Sequence, residues 1–247
     1  MLVAIGGKLD LEGEREILKR LLAEARGVQS NVLVVTSATG YPDETRQDHE
    51  DAFARLGIPN VTTLHLRTPQ EADDPQAVAA AARADLILFT GGDQLRLVRA
   101  LGGTDFMSML AKREQAGAIV AGTSAGAAAM AQTMIYGESA DDDPEREIVS
   151  LKDGFGLAAG YIIDTHFDRR GRYGRLFDQV AAHPDKVGLG LDENTAAIFH
   201  GDGSIEALGP GHVTIIDDPE SATARVELSS GQFYDSLLHG LRTGPQP

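Results

Sequence analysis

The chain has 247 residues, no cysteine, 37 acidic against 22 basic side chains and a formal net charge of −15. Its length suits one α/β domain with a buried core, and 42% hydrophobic with 24% charged residues is the composition of a globular protein. The missing thiols exclude disulfides, thiolate catalysis and Cys-ligated metal centres; the acidity disfavours nucleic-acid partners, and no apolar run reaches the ~18 residues of a membrane span. The first residues lack the positive and apolar regions of a signal peptide, so a cytoplasmic location is expected.

In chain order, the apolar run Leu2–Ile5 predicts a buried strand ending in Gly6-Gly7. Residues 14–25 place Ile17, Leu18, Leu21 and Leu22 at helical spacing. Asn31–Val35 predicts a strand, a polar loop holds Thr36 to Pro42, and Asp43–Leu56 predicts a helix before the strand Val61–Leu66. Asp74–Ala82 reads as a helix, Asp85–Phe89 as a strand closed by Gly91-Gly92-Asp93-Gln94, and Leu95–Leu101 and Phe106–Gln115 as helices. Ala118–Ala121 predicts a strand, a tight turn at Gly122–Gly126 and a helix over Ala127–Ala131.

Residues 137–154 crowd Glu138, Asp141, Asp142, Asp143, Glu145 and Glu147 around Pro144, and predict an exposed acidic loop. Beyond it come a strand over Leu157–Ile163, a helix over Arg172–Ala182 and a strand over Val187–Leu191. Short runs at Ala196–Phe199, Ser204–Leu208 and His212–Ile216 predict an antiparallel edge on the main sheet. No repeat or linker divides the chain, so one domain over residues 1–247 is expected, built as an α/β fold with a mostly parallel sheet covered on both faces.

Gly122-Thr123-Ser124-Ala125-Gly126 fits a nucleophile elbow in its required setting, strand then sharp turn then helix. Glycines flanking the serine let backbones approach, and the helix behind it offers free N–H groups to a developing oxyanion. His166 follows the apolar run Tyr161-Ile162-Ile163 and can reach a nucleophile on a neighbouring strand as its general base. The remaining histidines, His49, His65, His183, His200, His212 and His239, read as structural or solvated.

Around His166 stand Arg169, Arg170, Arg172 and Arg175, which predict pairing with the acidic loop, a clamp on a substrate carboxylate, or both. A carboxylate could orient the imidazole, and Asp192, Glu193 and Asp164 are all open candidates. Gly91-Gly92 at a strand end predicts a second oxyanion donor beside Ala125 N–H, against the plainer reading of a turn with Asp93 as helix cap.

These motifs together resemble the cyanophycinase and dipeptidase E family of serine peptidases over nearly the whole chain. The resemblance rests on Gly91-Gly92-Asp93-Gln94, Gly122-Thr123-Ser124-Ala125-Gly126-Ala127, Asp164-Thr165-His166-Phe167 with Arg170, Arg172 and Arg175, and Gly190–Ala196. It implies a three-layer α/β/α sandwich related to class I glutamine amidotransferase domains. It implies a Ser124–His166–Glu193 triad, a pocket lined by Gln94, Asp164, Thr165, Arg170, Arg172 and Arg175, and no metal or cofactor.

The implied substrate is cyanophycin or another aspartyl peptide, its α-carboxylates met by the arginines, and the implied assembly is a homodimer. Thr165 stands where the family usually has Gln, which shortens or removes a pocket hydrogen bond. An α-aspartyl dipeptidase, a non-catalytic binding protein on the same fold, and a metal hydrolase using Asp164, His166 and Asp168 are the competing expectations.

Overall fold

The computed structural model describes residues 1–140, 143–217, 225–235 and 240–242, with the backbone alone at 138–140, 143–148 and 242. Strand β1 (Leu2–Ile5) is followed by α1 (Glu16–Glu24), β2 (Val32–Val35), α2 (Pro42–Arg55), β3 (Val61–Leu64), α3 (Pro69–Ala72) and α4 (Pro75–Arg83). Then come β4 (Leu86–Phe89), α5 (Gln94–Leu101), α6 (Asp105–Gln115), β5 (Ile119–Thr123) and α7 (Ala125–Met130). The remainder runs β6 (Thr133–Ala140), β7 (Asp143–Asp153), β8 (Tyr161–Thr165), α8 (Tyr173–Ala182), β9 (Val187–Leu191), β10 (Ala196–Phe199) and β11 (Ser204–Leu208), then β12 (Val213–Ile216), β13 (Arg225–Leu228), β14 (Phe233–Asp235) and β15 (Gly240–Arg242).

The main sheet has the order β15-β14-β11-β10-β1-β5-β4-β2-β3. Strands β1, β5, β4, β2 and β3 pair in parallel, as buried apolar runs joined by helices must. From β10 outward the pairing is antiparallel. Side chains alternate between the faces with the strand period of two. Val3, Ile5, Val32, Val34, Leu86 and Leu88 pack on Ile17, Leu18 and Leu21 of α1 and Phe53 of α2. Leu33, Val35, Ile87 and Phe89 pack on Leu97 and Leu101 of α5 and Phe106 and Leu110 of α6. Each such fully buried side chain contributes about 1.5–3 kcal/mol of transfer free energy, which fixes the register and with it the strand ends that carry the site.

A second sheet, β13-β12-β9-β8, stacks on the antiparallel half of the first. Ile163, Leu189, Leu191, Val213 and Ile215 meet Ala4, Ala197, Ile205 and Ala207, while Ala127 of α7 and Ala131 just past its end fill the same seam. On its outer side Leu176 and Val180 of α8 pack on Phe167 and Ile162.

Two sequence expectations need correction. His212–Ile216 does not extend the main sheet: Asp192 accepts a hydrogen bond from the His212 amide (2.9 Å), drawing the next segment along β9, where Val213 pairs with Leu191. Residues 137–154 are not a loop, because β6 and β7 form an antiparallel hairpin from Thr133 opposite Asp153 to Ser139 opposite Glu147. The acidic count masked the apolar anchors at its base, where Met134 and Ile135 are buried. Asp141 and Asp142, the acidic side chains of 138–147, and His239 lie outside the described residues.

Candidate active site

Four strand ends converge on one point. β1 and β5 of the main sheet end at Gly6 and Ser124, and β8 and β9 of the second sheet end at His166 and Asp192. Open α/β sheets place their ligands at such carboxyl ends. The sequence reading expected His166 on a strand neighbouring that of Ser124. The structure brings it instead from the stacked sheet, across the alanine-lined seam.

Ser124 caps α7 with φ 53° and ψ −115°, a conformation few L residues adopt. The turn is possible because its flanks are glycine. A Cβ on Gly122 would lie 2.5 Å from the Gly126 backbone, and one on Gly126 would lie 2.4 Å from the Phe89 carbonyl oxygen. The Ser124 amide donates to Ile5 O (2.9 Å), pinning the turn to β1. Ala125 opens α7, so its N–H has no carbonyl a turn behind it.

Ser124 Oγ lies 3.0 Å from His166 Nε2, and His166 Nδ1 lies 2.8 Å from Glu193 Oε1. Lys8 Nζ meets the other carboxylate oxygen, Oε2, at 2.9 Å. Of the three candidate acids the geometry puts Glu193 against the ring. Asp192 accepts from the amides of Asp168 (3.0 Å) and His212. Asp164, only 2% exposed, is held by Arg172 and Arg175. Burial lowers the His166 pKa; the Glu193 hydrogen bond opposes this, and Arg170 adds to the lowering. Hydrogen bonds from Lys8 and then His166 hold the Glu193 carboxyl below the usual carboxylate range.

A cavity of about 150 Å³ opens beside Ser124 and reaches Gly92, Gln94, Asp164, Thr165 and Arg170. Ile135 and Gly137 of the hairpin close its far wall. Gly92 sits at the end of the Thr90–Asp93 turn with φ 138°, and Asp93 caps α5 by accepting from the amides of Leu95 and Arg96. Gln94 donates from Nε2 to Ile135 O (3.2 Å), tying α5 to the hairpin.

Arg175 donates from Nε to Asp164 Oδ2 (2.6 Å), and Arg172 donates from Nη1 to Thr165 O (2.8 Å). Two of the expected arginines are thus anchored on a buried acid, not on the acidic segment alone. Arg170 is exposed at the rim, and no described side chain forms an ion pair with it. Among the described residues, Arg170, Arg172 and Arg175 bring three guanidiniums to the cavity beside one buried carboxylate, Asp164.

Asp164, His166 and Asp168 do not converge, and among the described residues no three His, Cys, Asp or Glu side chains cluster as a metal ion would require. His49, His183 and His200 bond Thr45 O, Gln179 O and Glu206, and His65 and His212 lie beside Thr36 and Asp192. Gly7 and Lys8 also lie against this site, and their signal in the sequence is only a Gly-Gly-Lys step at a strand's carboxyl end.

The model of peptidase family S51 matches residues 1–207. A cyanophycinase from Nostoc sp. (strain PCC 7120) is 36% identical over 241 residues, covering 97% of this chain and 80% of the relative. One from Synechococcus elongatus is 36% identical over 249 residues, covering 99% and 77%. Among solved structures, a peptidase from an acI-B1 actinobacterium superposes with a TM-score of 0.75 at 22% identity, covering 95% of this chain and 96% of that one. A putative peptidase E from Listeria monocytogenes EGD-e gives 0.61 at 16% identity, covering 85% and 98%. At those identities the solved structures speak for the fold alone.

Proposed function

We propose, since the chain belongs to peptidase family S51 and is a serine-type peptidase, that it hydrolyses aspartyl peptides through Ser124, His166 and Glu193. The observation that carries this reading is the unbroken line of contacts, Ser124 Oγ to His166 Nε2 at 3.0 Å and His166 Nδ1 to Glu193 at 2.8 Å. In the first step Ser124 Oγ attacks the substrate carbonyl carbon and its proton passes to Nε2. The N–H groups of Gly92 and Ala125 receive the oxyanion. The C–N bond then breaks, with the Nε2 proton leaving on the amine. Water attacks the ester, again losing its proton to Nε2, and Ser124 recovers it as the acid product departs.

Within this class the reading favours cyanophycin, on the likeness to relatives named cyanophycinase. The guanidiniums lining the cavity beside Ser124 support a carboxylate-bearing unit on the acyl side, with Arg170 at the rim to meet the free α-carboxylate that the arginine of a β-aspartyl-arginine unit carries. Thr165, buried at 5% exposure, lines the same wall. A cavity of about 150 Å³ is small for a ligand pocket, which supports a single substrate unit seated beside Ser124. The same size favours a second reading, an α-aspartyl dipeptidase. Mass spectrometry of products separates them: β-aspartyl-arginine released from cyanophycin, with Asp-Leu dipeptide uncut, supports the first. Cleavage of Asp-Leu alone supports the second, and no cleavage of either counts against both.

A further inference from the structure

Residues 6–10 form a loop that touches every part of the base and its acid. Gly6 O accepts from the His166 amide (2.7 Å), Gly7 O accepts from the Asn194 amide (2.7 Å), and the Asp10 amide donates to Asn194 Oδ1 (3.0 Å). The turns bearing His166 and Glu193 are therefore both fastened to the end of β1. In the middle of this loop stands Lys8, a non-glycine residue at φ 43°. Left-handed backbone at such a residue is costly and persists where the surroundings over-determine it, commonly at functional sites.

The lysine side chain is 66% exposed, so its ion pair with Glu193 contributes little to stability. The strained turn is held by the hydrogen bonds at Gly7 O and the Asp10 amide, not by the lysine side chain. What the pair does reach is the second oxygen of the acid. Glu193 Oε1 faces His166 Nδ1 at 2.8 Å and Oε2 faces Lys8 Nζ at 2.9 Å, so the carboxylate is held between the imidazole and the lysine ammonium.

We propose that Lys8 is a positioning residue for Glu193, holding its free oxygen so that the other is aimed at the His166 ring, and damping the pull of that carboxylate on the imidazole proton. The inference rests on the reading of Ser124, His166 and Glu193 given above. Among the described residues, the charged groups facing the imidazole and its acid are Lys8 from the β1 end, Glu193 from the β9 end, and Arg170 and Arg172 beyond the ring. Neighbouring carboxylates are turned to other partners: Asp10 to the amides of Glu12, Gly13 and Arg15, and Asp192 to those of Asp168 and His212. Among the described residues Lys8 is thus the cation paired with the acid. Without it, Glu193 holds the imidazolium more strongly and is less well fixed.

The test is the rate at which a fluorophosphonate labels the full chain, followed by intact mass across pH 4.5 to 8 for the parent, Lys8→Met and Lys8→Arg, with circular dichroism and Tm recorded for each. This probe reacts with an activated serine and needs no knowledge of the natural substrate. Lys8→Met is expected to lower the plateau rate several-fold and raise the acid limb by roughly half a pH unit, with Tm held. Lys8→Arg restores both. An acid limb in Lys8→Met that stays put or moves downward overturns the assignment. Ser124→Ala separates the two levels of the argument. If it is still labelled at the parent rate, the functional reading itself fails. If it is inert while Lys8→Met behaves as the parent, only the role of Lys8 is lost.

Discussion

Gly7 leaves the space that the His166 imidazole occupies: a Cβ at residue 7 would fall 2.3 Å from Cε1 and 2.4 Å from Nε2. With φ at +100°, the position is also one that side-chain-bearing residues rarely adopt. Gly7→Ala must therefore move the ring or the loop, and it is Nε2 that faces Ser124. A displacement of about 1 Å costs on the order of 10²-fold in rate. Steady-state kinetics on the folded variant should show that fall in kcat with KM little changed.

The acid limb of activity should lie below pH 6.5, the ordinary imidazole value. His166 must be neutral to accept the serine proton, and burial makes the ring harder to protonate, so its folded pKa is lowered. The base then stays competent to a lower pH and is lost as pH falls through that lowered value. A pH profile of kcat/KM, which reports the free enzyme, measures it directly. A limb above 6.5 contradicts this account of the ring's surroundings.

Glu193→Gln keeps the shape of the acid but removes its charge and permits the wrong imidazole tautomer. Its expected cost is on the order of 10⁴-fold in kcat, by analogy with other Ser-His-acid sites. Asp192→Asn should cost far less in kcat, because its carboxylate meets the backbone amides of Asp168 and His212 and not the ring.

Asp164→Ala should act on stability first. The carboxylate is buried beneath Arg172 and Arg175, and its loss leaves two guanidiniums without that acid at low exposure. Breaking a buried ion pair from one side costs about 3–5 kcal/mol. Denaturant unfolding should show a lowered midpoint, with KM raised as the pocket wall loosens.

Much of this arrangement is legible in the sequence because local chemistry forces it. Gly122-Thr123-Ser124-Ala125-Gly126 can only be a tight turn, and the apolar runs at Leu2, Val32, Leu86 and Ile119 can only be buried strands. What stays hidden depends on partners far along the chain. That β8 and β9 leave the main sheet is decided by packing of Leu189 and Leu191 on Ala197 and Ala207, and apolar periodicity carries no record of which sheet a strand joins. The choice of Glu193 over its neighbour Asp192 is decided by two backbone amides that occupy Asp192. Lys8 escaped notice because an exposed lysine is ordinary until the acid beside it is known. The hairpin at 133–153 was obscured by its charge, though Met134 and Ile135 anchor it in the core.

The central claim is that the hydroxyl of residue 124 is the nucleophile and the imidazole of residue 166 activates it. Peptide mapping after fluorophosphonate treatment tests it most directly. The account predicts a single adduct on the peptide carrying Ser124, absent in Ser124→Ala and formed at least a hundred times more slowly in His166→Ala. An adduct at another residue, or labelling of Ser124 at the parent rate without His166, would contradict it.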